Sequence, residues 1–482
     1  MIAMFLAASA SLGFSQQTAP ASQQTAAGPA PAATGSEPAV TLDQAVAAAM
    51  VSAPGLTVAR VALDTARSQL TEVQATNGLS LAARGGYSHQ GDLTGGSAAT
   101  GADASAAAAA SGSGVRGDTV QGGLDLSGPS TSVGLTAQHS ITPAPSDQVS
   151  GLSLSASQTV FDGYAGGRAS ALVQQAQDTY RIAQVAFDAA QKGVTYQVKQ
   201  AYYTLLTDQE TLQVRQVTVQ QAQENLAYYQ GLLQAGRVTS LEVLQVQVTL
   251  TQAQLDLRTT QNAIDSDRKK LSLAVGWPLE KQYTAADSPL PQAPSVQTDQ
   301  ALQTAYQNRS ELRTFALEIA SANVNLALQN SQKYPVVSIN GSLGVGQDWT
   351  AGSTQGSFGA GVSIALPVAD GGLRTAQAQQ ATDSIASLKA QADQEQQSIT
   401  IDVENALFSV TDTRDRLDLA QQNVQQAQGQ YDLEKAKYAV GLETTLDVLT
   451  AFSALTTAQV GLEQARSAYV LAVLNLDNVM GL

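Results

Sequence analysis

Val440-Gly-Leu-Glu-Thr-Thr-Leu-Asp-Val-Leu449 repeats the pattern of Ala235-Gly-Arg-Val-Thr-Ser-Leu-Glu-Val-Leu244. From Gly236 the chain runs to a second glycine, Gly276, and from Gly441 it runs the same interval to Gly481. A conserved interval of that length marks an internal duplication, so the architecture has to be read as two similar halves. Upstream segments agree: Asp43-Gln44-Ala45 resembles Asp299-Gln300-Ala301, and Phe161-Asp162-Gly163 resembles Ala369-Asp370-Gly371. One unit covers about 41–276 and the other about 298–482, with a Pro-rich linker over 277–297.

Each unit is dominated by one very long helical stretch. Residues 164–234 carry no proline, and Gln, Ala, Val, Leu and Tyr recur there at helical spacing; residues 373–440 have the same character. At 1.5 Å per residue each stretch predicts a helix of roughly 100 Å, several times the globular average. Both break at the repeated glycine and resume, over 240–275 and 444–479. The returning arms hold a heptad, Val243, Leu250, Leu257, Ile264 and Leu271 in one and Val448, Leu455, Leu462, Tyr469 and Leu476 in the other. That period imposes a left-handed coiled seam. Ala451, Ala458, Ala465 and Ala472 are small enough to allow close helix approach, whereas Thr260 and Asp267 make the first seam wetter.

Between the helices the period changes to two. Val337, Ile339, Leu343 and Val345 alternate with small polar residues, as do Phe358, Val362 and Ile364; the first half matches with Leu79, Leu81 and Tyr87 and with Leu152, Leu154 and Val160. These segments predict strand pairs at about 79–89 with 150–160 and about 335–346 with 356–367, each strand of about ten residues, the length and pattern of a membrane barrel. Residues 90–148, rich in Gly, Ala, Ser and Thr, read as a mobile loop, with an extra hairpin over 119–126 and 132–141 placed above the membrane. Residues 2–12 are apolar but short, and no other window approaches the ~20 apolar residues of a membrane-spanning helix.

Composition removes other classes. Of 482 residues, 25 are basic and 40 acidic, a net charge of -15 that opposes nucleic-acid binding. There are no cysteines and only two histidines, which excludes disulfides, thiolate chemistry and a histidine metal cluster. No cofactor or metal is expected, and no phosphate loop or catalytic constellation points to an enzyme; Asp265 and Asp267 read as solvated helix faces. Residues 1–15 resemble a secretory signal peptide without its positive start, followed by a disordered leader over 16–40. A secreted coiled-coil fibre or adhesin is the competing reading; it explains the heptads but not two strand pairs bracketed by matching helices.

Four strands cannot close a barrel, and open edges in hydrocarbon leave backbone groups unsatisfied, so membrane strands here demand oligomerisation. The doubled strand pair, long helix and Gly-x-x-x-x-Leu-(Asp/Glu)-Val-Leu turn resemble the TolC family of outer-membrane efflux proteins. The resemblance covers nearly all of 42–482. It implies a mainly α protein with transmembrane β: a homotrimer whose four strands per protomer make a twelve-stranded outer-membrane barrel continuous with a helical periplasmic tunnel. It also implies a periplasmic adaptor and an inner-membrane transporter of RND, ABC or MFS class, or type I secretion. By the same resemblance, the turns Gly236, Arg237 and Leu241 and Gly441, Leu442 and Leu446 form the tip that docks the adaptor. Asp447 would form an acidic constriction, next to Thr450 where a second acidic ring is common. Tyr438 and Glu242 match a tip-closing hydrogen bond, and Glu443 replaces an arginine latch.

Overall fold

The computed structural model describes residues 38–90, 117–141, 149–289, 291, 297–349 and 351–482. The signal-peptide reading and most of the leader lie outside these residues. The elements run β1 (Ala39–Val40), α1 (Leu42–Ser52), α2 (Pro54–Thr76), β2 (Ser80–Gln90), β3 (Gly117–Ser127), β4 (Thr131–Ile141), β5 (Val149–Phe161), α3 (Arg168–Gln234) and α4 (Ser240–Val275) in the first half. The second half follows with β6 (Thr284–Ala285), α5 (Thr298–Asn308), α6 (Ser310–Ser331), β7 (Val336–Asp348), β8 (Ser353–Ala365), α7 (Leu373–Ala439) and α8 (Thr445–Val479).

The long helices α3 and α7 are each 67 residues. Neither contains proline, so the backbone ladder is never interrupted. Each is launched by an aspartate of the duplicated Asp-Gly pair: Asp162 accepts from the backbone N–H of Tyr164 (3.1 Å) and Arg168 (2.6 Å), and Asp370 from Gly372 (3.0 Å) and Arg374 (3.2 Å). These carboxylates satisfy amides that a helix start leaves orphaned. Alongside α3, α4 folds back from one end while α2 covers the other, and α8 and α6 do the same along α7.

Two equivalent cores lock the halves. In the first, Ala45 and Ala49 of α1 are fully buried against Val198, Tyr202 and Leu205 of α3 and Leu271 and Val275 of α4. In the second, Ala301 and Ala305 of α5 meet Ile399, Val403 and Ala406 of α7 and Leu476 and Val479 of α8. The i, i+4 alanine pairs let the short helices lie close against the long ones. β1 pairs in parallel with β6, and the Tyr202 hydroxyl reaches the carbonyls of Val40 (3.0 Å) and Ala286 (2.6 Å). The end of the leader and the linker are therefore joined in a small sheet, where the sequence reading had a disordered leader and a Pro-rich linker.

The expectation of two strand pairs needs correction. One six-stranded antiparallel sheet has the order β2-β3-β4-β5-β7-β8. The β3–β4 hairpin stands between β2 and β5 in full register, Ser80–Gln90 against Gly117–Ser127 and Thr131–His139 against Ser150–Gln158. It is part of the sheet and not a decoration above it. Register explains why: Leu81, Leu126, Val133 and Ala156 lie in one row, and Ala83, Leu124, Leu135, Leu154, Leu343 and Phe358 in the next. Their face is apolar and exposed, up to 88% at Phe358. The opposite face is Ser, Gly, Thr, Gln and Asn, with Ser–Ser and Thr–Ser contacts such as Ser132–Ser157 (2.8 Å). A second correction concerns Leu42–Thr76, which holds a window of mean hydropathy 1.6, apolar enough by composition to cross a membrane. The chain there is two helices divided at Ala53 by extended backbone (ψ 128) before Pro54, and α1 packs in the first core.

Candidate functional site

The end of the helices remote from the sheet is made by the two copied turns. After α3, Gly236 has φ 67, and Gly236 and Arg237 donate to the carbonyls of Leu233 (3.0 Å) and Leu232 (2.9 Å). After α7, Gly441 has φ 79, and Gly441 and Leu442 donate to Tyr438 (3.0 Å) and Lys437 (3.0 Å). Both are glycine helix terminations in left-handed backbone. The next helix then starts with a capping box: Thr239 Oγ1 accepts from Glu242 N–H (3.4 Å) while Glu242 accepts from Thr239 N–H (2.6 Å). Thr444 and Asp447 repeat this at 3.4 and 3.1 Å. The acidic residues of the repeated motif are thus fixed at the start of α4 and α8 by reciprocal bonds.

Those bonds also set their charge. The Thr444 hydroxyl and amide hold the Asp447 carboxyl below its ordinary pKa, and the Thr239 amide and hydroxyl do the same for Glu242. Both are anions at neutral pH. Lys437 contributes to Asp447 and forms ion pairs with Glu434 (3.1 Å) and Glu443 (3.2 Å). Glu443, standing where the resemblance implied an arginine, is therefore tied within its own chain to a lysine on the preceding turn.

Tyr438 and Glu242 are close to the same spot but have different partners. Glu242 accepts from the Thr445 hydroxyl (3.0 Å), which joins the start of α4 to the start of α8. Tyr438 packs on Tyr229, with ring centroids 5.6 Å apart and planes at 39°. The expected Tyr438–Glu242 hydrogen bond is replaced by these two contacts. Burial raises the Tyr229 phenol above its ordinary pKa, Tyr438 adds to the rise and Thr445 opposes it. Tyr229, Val246 and Leu449 form a small core at this end, with Tyr438 against it.

Around that core the surface is open. Arg237, Leu241, Leu442 and Leu446 are exposed, and Thr450 is exposed with its hydroxyl donating to Leu446 O (2.8 Å). An open groove of ≈ 810 Å³ runs between α4, α7 and α8, lined among others by Val248, Gln430, Leu446 and Thr450. Sequence reasoning missed Tyr229, Lys437 and Thr445. The threonine-to-acid spacing of the capping boxes was visible in the sequence; the contacts across separate helices were not.

Midway along the helices lie two carboxyl pairs. Asp267 is buried and bonds Lys270 Nζ (2.6 Å), which overturns its reading as a solvated position; Asp265 is exposed and pairs with Arg268 (3.3 Å). Burial first and Asp267 second push Asp208 up to about 7. Burial and then Glu210 push Glu463 up to about 7, opposed by Arg466, which pairs with Glu463 at 3.1 Å and Glu210 at 3.5 Å. No cluster that could hold a metal occurs among the described residues.

Comparison with known proteins agrees with this architecture. The chain is 23% identical over 308 residues to the outer membrane protein TolC of Vibrio cholerae, spanning 62% of this chain and 70% of that protein. It is 23% identical over 322 residues to the probable efflux pump outer membrane protein TtgC of Pseudomonas putida, spanning 65% and 66%. The crystal structure of the outer membrane protein VceC from Vibrio cholerae superposes with a TM-score of 0.68 at 18% identity, covering 91% of this chain and 96% of that one. The family model for outer membrane efflux protein matches residues 45–277 and 301–482, one segment for each half of the duplication, and the chain belongs to that family.

Proposed function

We propose that this protein is the outer-membrane exit duct of an efflux system, receiving substrates from an inner-membrane pump through a periplasmic adaptor. The observation that carries the reading is the sheet: one face apolar and bare, the other small and polar, and, among the described residues, two free edges at β2 and β8. Such a sheet suits a bilayer only when neighbouring copies close it, because unpaired edges cost several kcal/mol per group in hydrocarbon. Three copies would do this, with α3, α4, α7 and α8 of each continuing the wall as a tunnel in the periplasm.

In this reading the copied turns are the tunnel's periplasmic tip. Asp447, held ionised by Thr444, supplies one carboxylate per copy near the narrowest ring and favours cations, with Thr450 next to it. Tyr438 on Tyr229 and Glu242 on Thr445 hold the two turns of one copy together, and the Lys437–Glu443 pair braces the second. Gly236, Arg237, Leu241, Gly441, Leu442 and Leu446 present the exposed rim on which an adaptor would dock. Membrane fractionation followed by native mass spectrometry in detergent and planar-bilayer recording tests the whole. A detergent-dependent trimer from outer membranes that conducts ions is expected; a water-soluble monomer overturns it.

A further inference from the structure

We propose that the hairpin β3–β4 is a load-sharing part of the membrane wall, so that the assembled outlet has eighteen strands where the family resemblance implies twelve. The proposal rests on the trimeric reading above and on one observation of its own: six strands, not four, in one continuous antiparallel sheet.

Three facts place the hairpin in the wall. First, β3 and β4 are 11 residues each, equal to β2, and the paired rows run the length of all three. Second, their mid-strand apolar residues continue the apolar face: Val120, Leu124, Leu126 and Leu135 are exposed on the same side as Leu81, Leu152, Leu154 and Leu343, while the polar members of that face, Asp118, Thr131 and His139, sit towards the strand ends. A hairpin standing in water has no reason to keep one face leucine and valine and the other Thr119, Gln121, Thr136 and Gln138; a strand between lipid and water does. Third, the number is even. With every neighbour in the sheet antiparallel, β8 of one copy meets β2 of the next antiparallel as well, so the occupant of each free edge is a second copy of this chain.

The consequence is width. At a strand spacing of about 4.8 Å and a tilt of about 40°, eighteen strands make a cylinder roughly 36 Å across the backbone, against roughly 24 Å for twelve. The inner face is mostly serine and glycine, so little of that width is filled. Its mid-strand charges, Arg84 and Asp125, neutralise each other at 3.0 Å. The outlet thus filters by neither charge nor, below roughly 25 Å, by size. Selection falls to the tip.

Cryo-electron microscopy of the whole oligomer in lipid nanodiscs reads copy number and wall together. Three copies and an eighteen-stranded wall about 36 Å across support the proposal. Three copies around a twelve-stranded wall, with the hairpin outside it, overturn the proposal and leave the trimeric duct standing; any other copy number overturns the trimeric reading itself. Because the chain has no cysteine, single-cysteine labelling gives an independent check of the hairpin. Gln121→Cys and Gln138→Cys are expected to react with a membrane-impermeant maleimide at least ten times faster than Leu124→Cys and Leu135→Cys in intact membranes. Equal rates at all four positions place the hairpin in water and overturn its role in the wall.

Discussion

Gly236 and Gly276 stand in the same duplicated interval with similar backbone, φ 67 and 84, but very different surroundings. A Cβ added at Gly236 meets nothing within 4 Å. At Gly276 it falls 2.2 Å from the carbonyl oxygen of Ser52 and 2.8 Å from its carbon, the end of α1 that also donates the Ser52 hydroxyl to Val275 O at 2.8 Å. Alanine in left-handed backbone costs about 1–2 kcal/mol. Part of this is offset by the 0.4–1 kcal/mol or so that the loss of glycine's freedom removes from the unfolded chain. Gly236→Ala should therefore cost about 1 kcal/mol or less. Gly276→Ala carries the same strain plus an overpacking cost of about 1–3 kcal/mol, because the obstacle is main chain and has to retreat by roughly 1 Å. The assay is thermal unfolding of the purified protein followed by tryptophan emission. Trp277 adjoins the substitution, meets Tyr283 edge to face at 5.3 Å and lies under Lys281 at 3.3 Å. The Gly276→Ala midpoint should drop at least about twice as far as that of Gly236→Ala. Equal drops, or a larger one at Gly236, would refute the claim that close approach of α1 is what fixes glycine at the end of α4.

Two further outcomes follow from the charged groups. Asp447→Asn keeps an acceptor for Thr444 but removes the charge, so cation selectivity in bilayer recordings should fall while the melting curve holds; Asp447→Ala should lose both, and unchanged selectivity in either variant removes the acidic ring. Asp208 and Glu463 titrate near 7 when folded but near 4 when unfolded, so the folded chain holds protons the unfolded one has released. Their contribution is complete below about pH 4 and is lost as the pH rises to about 7, so the double variant Asp208→Asn/Glu463→Gln should melt with a flatter dependence between pH 5 and 8. A slope as steep as the parent's would contradict the buried-acid assignment.

The helices were legible because nothing in them competes. Proline-free stretches with Gln and Ala between apolar residues admit one regular structure, and the copied Gly-to-acid turn fixes where they stop. β3 and β4 were harder to place because Gly122, Gly123 and Gly134 dilute their pattern and long Gly/Ala/Ser stretches surround them, so composition argued for loop while alternation argued for strand. Alternation was right, and pairing with β2 and β5 decided it. At the tip, the residues were readable but their partners were not. Glu242 and Thr445 are 203 positions apart, and only the packing of α4 beside α8 brings them to 3.0 Å. Asp267 was misjudged for the same reason: on its own helix it looks solvated, and the neighbouring long helix covers it.

The bare leucine, valine and phenylalanine face also bears on the life of the chain before it reaches its destination. A newly exported copy carries a broad greasy plane with two unsatisfied margins, the combination that invites sticking to any other extended peptide. In the trimeric reading, folding and assembly are then one concentration-dependent event. Its fate in transit depends on an escort that shields the plane, or on helices that set early and leave the plane to form last, at the bilayer.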